Sequence, residues 1–122
     1  MESKKKKQHK AIHSLKQALA QYSKNQSDLN FLTVVKAFEI LVEYGWRELK
    51  QMVEKEGLEA PSPKMAIKEA ARLGFISDPE VWLNSLEARN SSVHDYFGIS
   101  EKEYLELAKK FLSQTEKTNW SS

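Results

Sequence analysis

Apolar side chains recur every three or four residues along most of the chain, which is the spacing of one buried face on an α-helix. This pattern predicts helices over residues 8–24, 29–56, 63–73, 78–97 and from residue 100 onward, the third of them short. β-Branched residues nowhere alternate with polar ones over a useful length, so strands are not expected. We therefore expect an all-α fold, an antiparallel up-and-down four-helix bundle with one additional short helix.

The second predicted helix carries the longest apolar seam of the chain. Its positions alternate in steps of four and three residues, as expected of bundle packing. They are Phe31, Val35, Phe38, Val42, Gly45, Leu49 and Met52. Because Gly45 adds no side chain to the seam, we expect a neighbouring helix or a large ring to lie close to it.

Residues with capping chemistry stand at the predicted helix ends. A serine or aspartate can accept a hydrogen bond from the first free amides of a helix, and glycine commonly ends one. The predicted caps and stops are Ser27 or Asp28, Ser62 before Pro63, Ser100 with Glu103, and Gly57, Gly74 and Gly98.

A length of 122 residues fits one domain, so we expect residues 1–122 to form a single helical domain with flexible tails at 1–7 and 115–122. Trp120 falls in the second of these polar tails. The chain has no cysteine, which excludes disulfides and cysteine-bound zinc. We find no signal peptide and no apolar run long enough to span a membrane, and we expect a cytoplasmic protein.

The net charge of +2 is unevenly distributed. The first ten residues hold five lysines and one glutamate, so the rest of the chain carries a small negative charge. This body lacks the broad basic surface of a general nucleic-acid binder. The run from Lys4 to Lys7 could attract RNA, but a solvated terminus explains it more simply.

The segment from Arg89 to Tyr96 combines residue types that suit phosphodiester chemistry. The guanidinium of Arg89 can hold phosphate oxygens through two parallel hydrogen bonds. The imidazole of His94 can take or give a proton near neutral pH without a metal. The same residues are also ordinary on the margins of a solvated helix, so their spacing alone does not decide between the two interpretations.

A helical wheel separates these side chains. With Leu86 at zero, Arg89 and Tyr96 lie on one margin of the apolar stripe and His94 lies on the other, about 140° from Arg89. Asn90 falls inside the stripe and therefore needs a hydrogen-bond partner. One straight helix does not easily bring Arg89 and His94 to one phosphate. We therefore predict a composite site between two copies of the helix in a homodimer.

The segment resembles the signature of the HEPN superfamily, in which Arg89-Asn90 is followed by His94 and Tyr96. More narrowly, the chain is similar to the nucleotidyltransferase substrate-binding branch, the HEPN toxins paired with minimal nucleotidyltransferases. The similarity includes residues 62–76, with Ser-Pro-Lys at the start, then Trp82, and then Leu-Glu-Ala-Arg-Asn at residues 86–90. The long second helix, from Phe38 to Trp46, adds to it, and the resemblance covers roughly residues 10–113.

This resemblance implies a HEPN-like bundle that dimerises through the motif helices. Arg89 and His94 would be the ribonuclease pair, with Asn90 beside them, and the RNA 2′-hydroxyl would attack its own phosphate without a metal or other cofactor. A nucleotidyltransferase encoded nearby would silence this toxin by transferring AMP to Tyr96. Asp95 departs from the small polar residue expected at that place, and its charge would disfavour phosphate slightly.

Two functions remain open at this point. The chain is a metal-independent endoribonuclease, or it is a non-catalytic subunit whose cleft holds a nucleotide or substrate for the nucleotidyltransferase, with Arg89 as the phosphate clamp. The chain cannot be the transferase, because it lacks a Gly-Ser loop followed by an Asp-x-Asp metal pair. His9 and His13 are four residues apart but lack a third ligand, so we interpret them as surface residues.

Overall fold

Five helices contain most of the residues that the structure describes, which are 4–91 and 100–120 in this computed structural model. They are α1 (Lys4–Lys24), α2 (Asp28–Lys55), α3 (Pro63–Arg72), α4 (Pro79–Ser91) and α5 (Glu101–Lys117). The described residues contain no strand. The prediction of an all-α fold is confirmed, although α1 begins four residues earlier than the apolar pattern indicated.

Contacts between the helices show how they are arranged. Near the start of α1, the Gln8 amide donates to the Tyr44 carbonyl of α2, and near its end Tyr22 packs on Phe31 at the start of α2. The two helices are therefore antiparallel. Helix α4 packs between α2 and α5, while α1 contacts α2 and α5. Helices α1, α2, α4 and α5 thus form the four-helix bundle, and α3 is the additional short helix.

The caps that fix these helices follow the sequence closely. The Ser27 hydroxyl accepts from the amide of Asn30 at 3.0 Å, so Ser27 rather than Asp28 is the N-cap of α2. Ser62 and Ser100 cap α3 and α5 in the same way. The glycines after α2 and α3 both have φ of 83°, a conformation that favours glycine.

The predicted seam of α2 is buried at all seven of its positions. A Cβ atom added to Gly45 would lie 2.9 Å from Cζ3 and 3.0 Å from Cη2 of Trp82 on α4. The expectation that a large ring comes close to Gly45 is confirmed. The absent side chain lets α2 and α4 approach each other, because the indole ring fills the space that a Cβ would take.

An aromatic cluster joins α2, α4 and α5 across the core. Phe38 meets Tyr104 and Phe111 edge-on, with ring centroids 5.2 and 5.7 Å apart. Trp82 meets Phe111 at 4.8 Å and Trp120 at 6.1 Å in the same manner. Such edge-to-face pairs stabilise beyond the area that they bury, so these contacts fix α4 against the rest of the bundle.

The carboxyl-terminal segment differs from its prediction as a flexible tail. Thr115 is fully buried, and Trp120 is only 5% exposed. The indole nitrogen of Trp120 donates to the Thr115 carbonyl at 3.0 Å, while its ring covers Trp82. Helix α5 ends at Lys117 and Thr118 is extended. The chain then turns, so that Trp120 lies next to Thr115. Trp120 lies among polar residues and outside any helical period, so the sequence pattern could not show its burial.

The hydropathy of the helices bears on the membrane question. Within residues 4–91 and 100–120, no helix combines the length and the apolar character that crossing a bilayer requires.

Candidate functional site

The buried face of α4 is rotated from the predicted one. The residues of α4 that are buried are Trp82, Ser85, Leu86 and Ala88. On the wheel this arc extends to roughly −160° at Ala88, so Arg89 lies within it and not on its margin. The arc is wide because α2, α3 and α5 all pack on α4. Small residues at its centre hide it from a pattern based on large apolar side chains.

Asn90 is exposed, which corrects the prediction that it lies in the apolar stripe. Its side-chain oxygen accepts a hydrogen bond from Nη1 of Arg89 at 3.3 Å. Because Asn90 is exposed, it does not need the partner that burial would require, and its hydrogen bond with the neighbouring arginine is a surface contact. This contact places Asn90 beside the guanidinium, where the site predicted from sequence also needs it.

Glu43 of α2 holds Arg89 in place. Nη2 of Arg89 lies 3.0 Å from Oε2 of Glu43, across the gap between α4 and α2. Oε1 of the same carboxylate lies 2.7 Å from Nη2 of Arg47, one turn further along α2. The Trp46 indole nitrogen also donates to Oε2 at 3.1 Å. We call Glu43, Trp46, Arg47, Arg89 and Asn90 the Glu43 cluster.

The Glu43 cluster is partly open to solvent. The side chain of Arg47 is 63% exposed, that of Arg89 is 36% exposed and that of Glu43 is 25% exposed. The Arg47 guanidinium carbon lies 5.7 Å from the ring centroid of Trp46, a cation–π distance. Two guanidiniums and one carboxylate give the cluster one net positive charge. This arrangement suits the binding of an anion from solvent.

The other residues of the predicted site lie outside the described part of the chain. These residues are His94, Asp95 and Tyr96, together with Val93, Phe97 and Gly98. The structure thus brings Arg89 and Asn90 together, and the meeting of Arg89 with His94 stays a prediction. The same holds for the role of Tyr96 as an AMP acceptor.

Sequence reasoning missed the residues of α2 in this cluster. Glu43 and Arg47 are four residues apart, a spacing typical of ordinary ion pairs along a solvated helix. Trp46 is partly buried and packs against the core, so its sequence context does not distinguish it from an ordinary core residue. Nothing local indicated that Glu43 faces Arg89, because that contact depends on how α4 crosses α2.

The histidines of α1 give no sign of a second site. His9 and His13 are both exposed. Within the part of the chain that the structure describes, no three or more His, Asp or Glu side chains come together in a way that could hold a metal ion.

The described residues form a helical bundle with Arg89 and Asn90 near the end of α4, and the family that the chain matches has the HEPN-like fold. The chain belongs to the family described as "nucleotidyltransferase substrate binding protein like", which it matches over residues 4–121. The family's name associates its members with a nucleotidyltransferase. A comparison with curated proteins gives no match.

Proposed function

We propose that this protein is a metal-independent endoribonuclease of the HEPN type, the toxin of a pair in which a nucleotidyltransferase silences it by AMP transfer. The observation that carries the proposal is the placement of Arg89. Its guanidinium is paired with Glu43 of α2, its side chain is 36% exposed, and it stands five residues before His94. A paired, partly exposed arginine is suited to hold a phosphate during reaction.

Each residue of the motif has a role in this mechanism. Arg89 holds the scissile phosphate and stabilises the charge that grows on it. His94 takes the proton from the attacking 2′-hydroxyl, or gives one to the departing 5′-oxygen. Asn90 orients the guanidinium, to which it is already hydrogen-bonded. The 2′-hydroxyl makes RNA, and not DNA, the substrate.

The proposed site contains two copies of the chain. The wheel drawn from the sequence, which continues this helix to His94, separates Arg89 from His94 by about 140°, and a second copy facing the first across a two-fold axis would supply the missing partner. In such a homodimer one imidazole can act as base and the other as acid. A strictly monomeric preparation with full activity would contradict this arrangement.

Replacement of His94 tests the chemistry. We expect His94→Ala to lower the rate of RNA cleavage by at least about a hundredfold, because general acid–base catalysis contributes that much or more. The measurement follows a labelled RNA by gel in the presence of a chelator. His13→Ala, which removes an exposed histidine of α1, is the matched control. Equal cleavage by His94→Ala and the parent would refute the mechanism.

Silencing by AMP transfer is tested at Tyr96. After co-expression with the neighbouring nucleotidyltransferase, we expect the intact mass to increase by one AMP, and Tyr96→Phe to abolish the increase. Tyr44→Phe, at an exposed tyrosine of α2, should leave the increase unchanged. An unmodified parent protein in the presence of an active transferase would contradict this part of the proposal.

A second candidate function is favoured by the family's description. In it the chain is a non-catalytic subunit that presents a nucleotide or an acceptor to the nucleotidyltransferase. The phosphate clamp would again be Arg89, but His94 would have no chemical task. Loss of transferase activity with Arg89→Ala, combined with no RNA cleavage by the parent, would favour this function over the first.

A further inference from the structure

We propose that Arg47 of α2 and Arg89 of α4, both held by Glu43, form one two-arginine site for a phosphodiester group of single-stranded RNA. The site predicted from the sequence is confined to α4 and the segment after it. This inference extends it onto the outer face of α2 and adds Arg47 as a second phosphate-binding residue. The identity of the ligand rests on the proposed function, whereas the geometry of the site does not.

The two guanidiniums are close because they share one carboxylate. Oε1 of Glu43 contacts Arg47 at 2.7 Å, and Oε2 contacts Arg89 at 3.0 Å. Groups bound to the two oxygens of one carboxylate cannot lie far apart. The carboxylate itself repels an anion, so the ligand would be bound through the N–H groups of Arg47 and Arg89 that do not face Glu43.

Both arginines are also restrained before a ligand binds. Arg89 is held by Glu43 and by the side-chain oxygen of Asn90. Arg47 is held by Glu43 and lies against the indole ring of Trp46, whose nitrogen donates to the same carboxylate. Restraint of this kind lowers the entropy that flexible side chains lose on binding, so the cluster is organised in advance.

The charge of the site selects the kind of phosphate. Glu43, Arg47 and Arg89 together carry one net positive charge, which a phosphodiester balances with its single negative charge. A terminal phosphate carries about −1.5 to −2 near neutral pH and would leave the site with excess negative charge. The arrangement therefore favours an internal phosphate of a chain over the phosphate of a mononucleotide.

The third arginine of the chain provides an internal comparison. Arg72 of α3 is paired with Glu69 and is 62% exposed, almost the same exposure as Arg47. Glu69 has one arginine partner among the described ion pairs, whereas Glu43 has two. Arg72 thus matches Arg47 in chemistry and exposure but lacks the second guanidinium, which makes Arg72→Ala the matched control.

The test measures binding and leaves cleavage aside. The probe is a short fluorescein-labelled oligouridine whose 2′-hydroxyls are methylated, so it cannot be cut by attack of its own hydroxyl. We expect the purified full-length Arg47→Ala variant to bind this probe roughly tenfold more weakly than the parent. This is the loss expected for one charge-assisted contact. The slope of log affinity against log salt should fall by about 0.7, the value for one phosphate contact with a single strand. Arg72→Ala should change neither quantity.

Three results would overturn the inference. They are an absence of binding by the parent, equal binding by Arg47→Ala and the parent, and an equal loss with Arg72→Ala.

Arg47→Lys serves as a second variant if Arg47→Ala unfolds, and it should bind less well than the parent because lysine lacks the planar fork. AMP added as competitor distinguishes the two phosphates, and displacement of the probe at equal concentration would refute the preference for a diester. Binding that depends on Arg47 without any RNA cleavage by the parent would leave this site standing and remove the proposed enzyme activity.

Discussion

At the scale of single residues, the Glu43 carboxylate of α2 forms the ion pair that joins α2 to α4. It accepts from Arg89 across the helix gap, from Arg47 along its own helix and from the Trp46 indole. The sequence indicated Arg89 because a guanidinium suits phosphate binding, and Asn90 because the segment resembles the HEPN signature. It could not find Glu43, because an i,i+4 ion pair is common on any solvated helix.

The coupling between Glu43 and Arg89 can be measured with a double-mutant cycle. We expect Glu43→Ala and Arg89→Ala to be coupled by about 0.5–1 kcal/mol in the free energy of unfolding, because both side chains are partly solvated and such pairs stabilise little. Urea denaturation of the parent, both single variants and the double variant provides the four values. A coupling within experimental error of zero would show that the ion pair adds no stability, which would contradict this prediction.

At the scale of helices, the sequence predicted most of what was local. Neighbours within one or two turns determine the apolar seam of α2, the caps at Ser27, Ser62 and Ser100, and the stops at Gly57 and Gly74, so a pattern reveals them. The orientation of α4 depends on three other helices at once. That is why the burial of Ser85 and the exposure of Asn90 were both outside the reach of the wheel.

Gly45→Ala should destabilise the protein although alanine is the better helix former. The gain in helix propensity is about 1 kcal/mol, while forcing a methyl group against a rigid indole costs about 1–3 kcal/mol. We expect a net loss of about 1 kcal/mol in the free energy of unfolding, measured in urea. In a Trp82→Phe background, where the ring is smaller, the same change should cost less. A stabilised Gly45→Ala single variant would contradict the close approach.

At the scale of the whole molecule, the carboxyl-terminal residues complete the core. Trp120 covers Trp82 after the last helix has ended, so the bundle is finished by a segment without regular structure. No sequence period extends into such a segment. Its packing depends on the position of a ring on α4 that is nearly forty residues earlier in the chain.

Replacement of this residue should therefore affect global stability. We expect Trp120→Ala to lower the free energy of unfolding by about 3 kcal/mol, the low end for a buried large aromatic because a chain terminus can relax. Trp120→Phe should retain most of it. Thermal and urea unfolding followed by circular dichroism would report both values, and a parent-like Trp120→Ala variant would show that the segment is not packed in solution.

The close approach of Gly45 to the Trp82 indole sets the distance between α2 and α4. Each of these helices carries one arginine of the proposed two-arginine site. A larger residue at position 45 would push α4 away from α2. Arg89 would then move away from Glu43. If the two-arginine site binds an anion as proposed, core packing at Gly45 would therefore affect its affinity. Side chains of increasing size at position 45 would then weaken anion binding step by step.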